Sequence, residues 1–278
     1  MKAILYILSI LLCLNLEGQE LERLNSIPLK AQADFIQVDQ FGSIYLVLDN
    51  ELRKLNNKGE YQASYSDPLQ GSISDVDLLN PMNPIVYFQN SNELRILDNR
   101  LNQSRELNLA YTFNDPSSIA AAAENSIWLY DQNADQMIRY SFVENRILNR
   151  SPIISQILND DQAEVLSFKA GFDQLVVHIK QAEKESFLLF DAQGSYQKQL
   201  SPGSGISSYF YFNQKLSVLL SNGLLSIYNL NLQNHWDMIC PVESARQVFY
   251  FHPQLYLYDG DKLHQYRVQS PTKSPNKP

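Results

Sequence analysis

Cysteine is scarce in this sequence, with Cys13 and Cys240 the two examples among 278 residues. Cys13 lies in an N-terminal stretch that the sequence predicts to be removed, so the mature chain has no cysteine pair to form an intramolecular disulfide. Cys240 follows an apolar Met-Ile pair and precedes a proline, which is typical of a buried small side chain rather than of a nucleophile. Stability must therefore come from packing.

Signature motifs of catalysis and of cofactor binding are missing as well. The sequence has no GxSxG, no CxxC and no glycine-rich phosphate loop, and it contains only ten glycines. Its four histidines, His178, His235, His252 and His264, lie in different parts of the chain without metal-ligand spacing. We interpret them as surface or packing residues. The sequence therefore identifies no catalytic residue and no cofactor, and it favours a protein that is not an enzyme.

Basic clusters and long apolar runs are also absent. The formal net charge is −8, from 22 Lys and Arg against 30 Asp and Glu, and no basic run occurs. This argues against nucleic acid as a partner, because phosphate binding uses clustered cations. The apolar stretch Ala3–Leu14 is too short to span a bilayer, and no later stretch reaches the roughly 18 residues that a spanning helix needs. No transmembrane segment is predicted.

Residues 1–18 have the pattern of a secretory signal peptide, with Lys2 ahead of the apolar stretch and a polar end at Gly18. We expect cleavage between Gly18 and Gln19, which predicts an exported protein of the periplasm, the cell envelope or the extracellular space. Lipidation of Cys13 is disfavoured because two leucines, rather than a small residue, stand directly before it.

One sequence pattern recurs along the chain. Residues 38–59, reading VDQFGSIYLVLDNELRKLNNKG, contain an apolar run, a polar turn, a mixed strand and a second turn. The pattern restarts at Ile44, Ile85, Ile127, Leu175, Leu216 and Leu255, which are 41, 42, 48, 41 and 39 residues apart. A period near forty without helical pattern predicts an all-β, six-bladed propeller of four-stranded antiparallel blades. A β-sandwich is the alternative, but sandwiches do not repeat six times at one interval.

The repeat also predicts where each blade begins and how the ring closes over residues 19–269. Innermost strands are expected at Ala33–Asp39, Ile73–Leu78, Ser117–Ala122, Val165–Lys169, Ser207–Phe212 and Gln247–Phe251. Leu21–Leu29 is assigned to the sixth blade as its outer strand, because that blade otherwise runs into a proline-rich tail, residues 270–278, predicted to be disordered. The longest repeat holds surplus residues at Ser155–Glu164, predicted to be a surface excursion or one helical turn.

Three carboxylates are candidates for a site on the axis of the ring. Asp34, Asp75 and Glu164 would lie near one mouth of the central channel, with Arg246 close by. Converging carboxylates could bind Ca²⁺, and this supports an alternative function as a metal-dependent lyase or hydrolase. The opposing interpretation is that polar residues simply cap strand ends, since three carboxylates fall short of the roughly six to eight oxygens that Ca²⁺ prefers.

Loop variation at the hairpin tips points to recognition instead. These tips are Asp49-Asn50, Gln89–Asn92, Asp131–Asp135, Lys180–Glu185, Ser221–Gly223 and Asp259–Asp261. Varied loops on a constant frame favour a non-catalytic binding or scaffold propeller that uses one face to recognise a protein or an envelope component. The tips are acidic overall, so a basic or neutral partner is expected, and the chain is expected to be a monomer.

The first repeat unit resembles the NHL-type repeat of six-bladed propellers. Asp39 and Gly42 stand before its apolar strand, Asp49 stands after it, and Gly59 lies at the following turn. The resemblance implies the propeller fold and carries over no site residue. The signal-like start followed by Gln, the many Asn, Gln and Tyr residues and the overall layout also resemble exported propeller proteins of Bacteroidetes bacteria, which implies no particular activity.

Overall fold

The computed structural model describes residues 21–113, 116 and 118–269. Within them, the chain folds into six four-stranded antiparallel sheets, and the six-bladed propeller predicted from the repeat is confirmed. The predicted signal peptide with Cys13, and the predicted tail at 270–278, lie outside the described residues. None of the helices in the described part of the chain has the length and apolar character to cross a membrane.

Each blade takes four consecutive strands, except that the last blade borrows its outer strand from the start of the chain. Blade 1 holds β2 (Phe35–Val38), β3 (Ile44–Leu48), β4 (Glu51–Leu55) and β5 (Tyr61–Ser66); blade 2 holds β6 (Asp75–Asp77), β7 (Ile85–Phe88), β8 (Glu93–Leu97) and β9 (Gln103–Asn108). Blade 3 holds β10 (Ile119–Ala122), β11 (Ser126–Asp131), β12 (Gln136–Ser141) and β13 (Arg146–Arg150); blade 4 holds β14 (Glu164–Ala170), β15 (Gln174–Gln181), β16 (Lys184–Asp191) and β17 (Tyr196–Leu200). Blade 5 holds β18 (Ile206–Phe212), β19 (Lys215–Leu220), β20 (Leu224–Asn229) and β21 (Asn234–Ile239); blade 6 holds β22 (Gln247–Phe251), β23 (Gln254–Tyr258), β24 (Lys262–Val268) and β1 (Leu21–Pro28).

The innermost strands lie where the repeat predicted them, as β2, β6, β10, β14, β18 and β22. The alanine-rich strand β10 is notable because its composition alone favours a helix. Its backbone instead pairs with β11, and its small side chains are almost fully buried near the crowded centre. A short helix, α1 (Ile154–Leu158), begins one residue before the predicted surplus, so of the two alternatives given for that segment its first half takes the helical turn.

The core consists of six clusters of buried apolar side chains among the described residues, one between each pair of neighbouring blades. Strand β3 shows how the sequence produces this arrangement. Ile44 and Leu46 pack towards blade 6, while Tyr45 and Val47 pack towards blade 2. Since successive side chains of a strand point to opposite faces, a sheet that is covered on both faces requires an uninterrupted apolar run.

The ring is closed by antiparallel pairing of β1 with β24, as predicted. The register runs from Leu21 opposite Val268 to Pro28 opposite Lys262. Ile27 of the closing strand is buried in the cluster between blades 6 and 1. Gly59, in the turn between β4 and β5, lies so close that a Cβ atom there would be 2.6 Å from Ile27 Cγ2. A glycine is therefore required where blade 1 meets the closing strand.

Replacing Gly59 with alanine tests this contact. Gly59 and Gly223 both have φ of +82°, but a Cβ at Gly223 would have no heavy atom within 4 Å. Gly223→Ala should therefore cost about 1 kcal/mol of unfolding free energy from backbone strain alone. Gly59→Ala should cost about 1–3 kcal/mol more, because it also displaces Ile27. Equal losses in denaturant unfolding would contradict the close approach.

Candidate functional site

Two faces of the ring follow from the strand order. We call the face at which the innermost strands begin the start face; it also holds the turns between the second and third strands and the connections between blades. The opposite side, the end face, holds the turns between first and second strands and between third and fourth strands. All six hairpin tips singled out in the sequence lie on the start face.

An open cavity of about 320 Å³, here called the axial chamber, surrounds the axis on the start-face side. All six innermost strands or the residues just before them contribute to it. Its lining consists of Phe35, Gln37, Ser74, Asp75, Ser118, Ser167, Phe168, Lys169, Ser208, Tyr209, Phe210, Gln247, Val248 and Phe249. A cavity of about 40 Å³ continues it towards the end face and shares Gln37, Lys169 and Phe210 with it.

An ion pair crosses the axial chamber. Lys169 Nζ of β14 lies 3.6 Å from Asp75 Oδ1 of β6, and about a quarter of the Lys169 side chain is exposed. Burial works to lower the pKa of Lys169, but the nearby Asp75, Tyr209 and Asp77 together outweigh it, with Asp75 contributing most, and raise that pKa above the ordinary value. The ammonium is therefore charged at neutral pH. Asp75 Oδ2 also accepts a hydrogen bond from Ser118 Oγ at 2.9 Å, which links a third blade to the pair.

Two further polar groups on the innermost strands are largely buried. Asp77, deeper than Asp75 on β6, accepts hydrogen bonds from the backbone N–H groups of Leu79 and Ala121 at 2.8 and 3.0 Å, and burial raises its pKa. Tyr209 is 2.9 Å from Ser167 through their hydroxyl oxygens, and burial raises its pKa to about 12. Both groups tie neighbouring blades together at the axis.

The predicted site residues all lie towards the start face, but their side chains have different contact partners. Asp75 lines the axial chamber, whereas Asp34 Oδ2 accepts the backbone N–H of Asp49 at 2.6 Å in a turn of blade 1. Glu164 is exposed at the start of β14, and Arg246 is exposed just before β22. Within the described ranges, no three His, Cys, Asp or Glu side chains are grouped so that they could hold a metal ion. The Ca²⁺ hypothesis stays a prediction, which a calorimetric titration with Ca²⁺ would test.

Sequence reasoning missed Lys169, which is the cation of the axial chamber. The signal was present, because a lysine stands near the end of the innermost strand EVLSFKA, where its neighbours Phe168 and Ala170 are buried. A charge at such a position is costly unless a partner faces it. The partner, Asp75, is two blades away along the chain, so the residues around Lys169 in the sequence could not identify it.

A second polar network lies at the ring closure, away from the axis. His264 Nδ1 of β24 is 2.8 Å from Ser26 Oγ of β1, and His264 Nε2 is 2.8 Å from Asp259 Oδ2. Arg23 also donates a hydrogen bond to Ser26 Oγ at 2.8 Å. Serine hydrolases use His Nε2 to take the serine proton, whereas here Nδ1 faces the serine. Because Ser26 and His264 are direct partners across the closing strand pair, we interpret the network as a link between the chain ends.

The remaining histidines behave as packing or surface residues. His178 is buried between Phe187 and Tyr209, with ring centroids 5.2 and 5.5 Å away, and its Nε2 lies 2.9 Å from Glu185. Burial lowers the pKa of His178 despite that carboxylate. Cys240 is buried, and burial raises the pKa of its thiol, so the packing role predicted for it fits its surroundings.

The two faces differ in how many charged residues their connecting segments carry. Acidic residues in the described connecting segments of the start face are Asp34, Asp49, Asp67, Asp135, Asp160, Asp161, Glu183, Glu243, Asp259 and Asp261, against the cations Lys30 and Arg246. The exposed large apolar residues in the connecting segments of the end face are Phe41, Met82, Val143, Phe172 and Leu232. The start face also exposes Leu69 and Tyr111, so exposed apolar side chains occur on both faces. The described connecting segments of the end face hold six acidic residues against two cations, so both faces are acidic and the start face is the more acidic of the two.

Comparison with known proteins bears on the fold. No protein-family model and no curated protein sequence matches the chain. Among solved structures, the WD40 domain of Neurospora crassa Pan2 is similar with a TM-score of 0.58 and 9% identity, over 94% of this chain and 97% of that chain. A chain in a structure of the mitotic checkpoint complex is similar with a TM-score of 0.58 and 6% identity, over 90% and 95%. At such low identity the likeness shows the propeller fold alone.

The network at the ring closure gives a pH-dependent prediction. Partial burial works to raise the pKa of Asp259, but hydrogen bonds from His264 and from the backbone N–H groups of Asp261 and Lys262 outweigh it and lower that pKa below 3.8. A lowered pKa in the folded state means that Asp259 stabilises the fold above the unfolded pKa, and that this stabilisation is lost as pH falls through the folded pKa. Asp259→Asn should cost about 1–2 kcal/mol at neutral pH and progressively less in acid.

Asp237→Asn is the matched control for Asp259→Asn. Asp237 also faces a histidine, His235, but at 3.6 Å and with both side chains about half exposed. Exposed pairs contribute about 0–1 kcal/mol, so this substitution should have little effect at any pH. A loss for Asp259→Asn that stays constant from neutral pH into acid, in denaturant unfolding, would show that the lowered pKa does not stabilise the closure.

Proposed function

We propose that this chain is a non-catalytic binding propeller whose acidic start face engages a basic surface of a protein or envelope component. The observation that carries the proposal is the concentration of carboxylates in the connecting segments of that face. Charges of one sign attract a partner of the opposite sign and exclude partners of the same sign, which gives specificity and a faster association rate. A polyanion is therefore disfavoured as a partner.

The propeller suits this role because its strands are stabilised by the apolar clusters between blades and not by the connecting loops. Each blade is anchored by apolar clusters on both faces, so turns at the strand ends can vary while the strands stay in register. Propellers serve many functions, so the proposal depends on the charge of this face and not on the fold.

Two triple variants with equal change of charge test the proposal. Asp161→Asn, Glu183→Gln and Asp261→Asn neutralise exposed start-face carboxylates that form no side-chain hydrogen bond or ion pair with other described residues. Glu60→Gln, Glu124→Gln and Glu144→Gln neutralise three carboxylates on the end face. Crosslinking followed by pull-down from the native envelope should recover a basic partner with wild type and with the end-face variant. The start-face variant should recover much less.

Salt provides an independent readout, because exposed charges are screened beyond about 8–10 Å at physiological ionic strength. Recovery of the partner by wild type should fall as salt rises. If only the end-face variant loses binding, the interface lies on the end face and the proposal is wrong. Failure of all three proteins to recover a partner, together with turnover in a broad substrate screen, would replace the proposal with the enzyme alternative.

We also propose that the chain acts after export, in the periplasm, the cell envelope or the extracellular space. The support is the charge and apolar pattern of residues 1–18. N-terminal mass analysis of protein recovered from the envelope and the medium should find Gln19, open or cyclised, as the first residue. A mature N-terminus at a lipid-modified Cys13, or retention of residues 1–18 in the cytoplasm, would contradict this.

A further inference from the structure

The ammonium of Lys169 has fewer partners than its chemistry allows. A lysine carries three N–H donors. Among the described residues, Asp75 is its one ion-pair partner, and 3.6 Å is too long for a hydrogen bond. Lys169 lines both the axial chamber and the smaller cavity beyond it, and about a quarter of its side chain is exposed, so these two cavities are the space open to its remaining donors.

Gln37, on β2, is the second group with unused hydrogen-bonding capacity. It lines the same two cavities, and its side-chain amide forms no hydrogen bond with any residue that the structure describes. Other polar groups of the chamber are occupied. The Gln247 amide bonds the backbone of Ile36 in both directions at 3.0 and 3.3 Å, and Ser208 Oγ accepts the N–H of Val248 at 3.2 Å.

Asp75 is better satisfied than the cation that it faces. Its Oδ2 accepts from Ser118 Oγ, and its Oδ1 accepts from the backbone N–H of Val76 at 2.9 Å. The unmet need in the chamber is therefore for an acceptor rather than for a donor. Asp75 also compensates the charge of Lys169, so a dianion such as phosphate would add two uncompensated negative charges and a monoanion one, whereas a zwitterion would add none.

Phenylalanine residues complete the lining. The half-buried Phe35 and Phe210 come from β2 and β18. Behind Phe210 lies Phe249 of β22, which is buried in the cluster between blades 6 and 1 and meets Phe210 edge to face with ring centroids 5.4 Å apart. The volume of about 320 Å³ falls at the small end of ligand pockets. At about 30 Å³ per water-sized group, it accommodates roughly ten non-hydrogen atoms.

We propose that the axial chamber binds the carboxylate group of a small molecule with an apolar body, with Lys169 and Gln37 donating to the carboxylate and the phenylalanine rings packing against the body. This site is independent of the interface proposed on the start face. Two kinds of ligand share this chemistry: a simple carboxylic acid, and an α-amino acid whose ammonium would face Asp75.

Isothermal titration calorimetry with benzoate, benzamide and phenylalanine tests the proposal on the intact chain. Wild type should bind at least one of the two acids and should bind benzamide at least about tenfold more weakly, because benzamide lacks the charge that Lys169 recognises. Lys169→Met should weaken the acid at least about tenfold. Lys184→Met, an exposed lysine on β16, should leave the affinity unchanged.

Asp75→Asn distinguishes a simple carboxylic acid from an α-amino acid as the ligand, because it keeps the shape of the side chain and removes its charge. A simple acid should bind several-fold more tightly to this variant, since Lys169 loses a competing anion. An amino acid should bind several-fold more weakly, since its ammonium loses its counter-charge. Thermal melting shows whether each variant is folded, and the comparison of benzoate with benzamide on wild type needs no variant.

Absence of binding by both acids to wild type, equal affinity for benzamide and for the tighter-binding acid, or unchanged binding of that acid in folded Lys169→Met would overturn the proposal. Weakening of both acids by Asp75→Asn would overturn it as well, because a lysine without its anionic neighbour should be more available to a carboxylate.

Discussion

The pairing of β1 with β24 is the interaction on which the rest of the structure depends. Every blade is covered on both faces by its neighbours, and that arrangement is possible only in a closed ring. If the first strand were absent, β24 would become an exposed edge and the cluster that contains Ile27 would lose one wall. The His264 network and the close approach of Gly59 both lie at this junction, so the polar links and the tightest packing coincide where the chain ends meet.

Most of the fold could be predicted from the sequence, because the features that determine it are local and repeated. The run from Ile44 to Leu48 and three of its counterparts are apolar without interruption, and the other two are interrupted once each, by His178 and by Ser217. Runs of this kind are required by a strand that is buried on both faces. The closing strand could be inferred because the sixth repeat has no fourth strand of its own and Leu21–Leu29 was not assigned to any other blade. The alanine-rich β10 was assigned by its place in the repeat against its own propensity, and that assignment is correct.

The contacts of the site could not be predicted in the same way, because they join residues that are far apart in sequence and near in space. Asp75 and Lys169 meet across the axis from blades 2 and 4, and Ser26 meets His264 across the closure. A repeat predicts that such positions share a mouth or an edge, but the side-chain partners depend on register differences of one residue. Asp34 and Glu164 illustrate this limit, since both are at strand starts while their side chains face a local turn or solvent.

Closure by the first strand also has a consequence for the order in which the molecule can form. Glu22 and Gln269, which are in contact across the closure, are 247 residues apart in the chain. During synthesis β1 precedes every other described strand and has no partner until β24 has been added. The entropy cost of so long a loop grows only with the logarithm of its length, but contacts of high sequence separation form late and slowly. The blades in the middle can assemble by neighbouring pairs, whereas the sixth interface is completed last, when β1 and β24 are both free to pair.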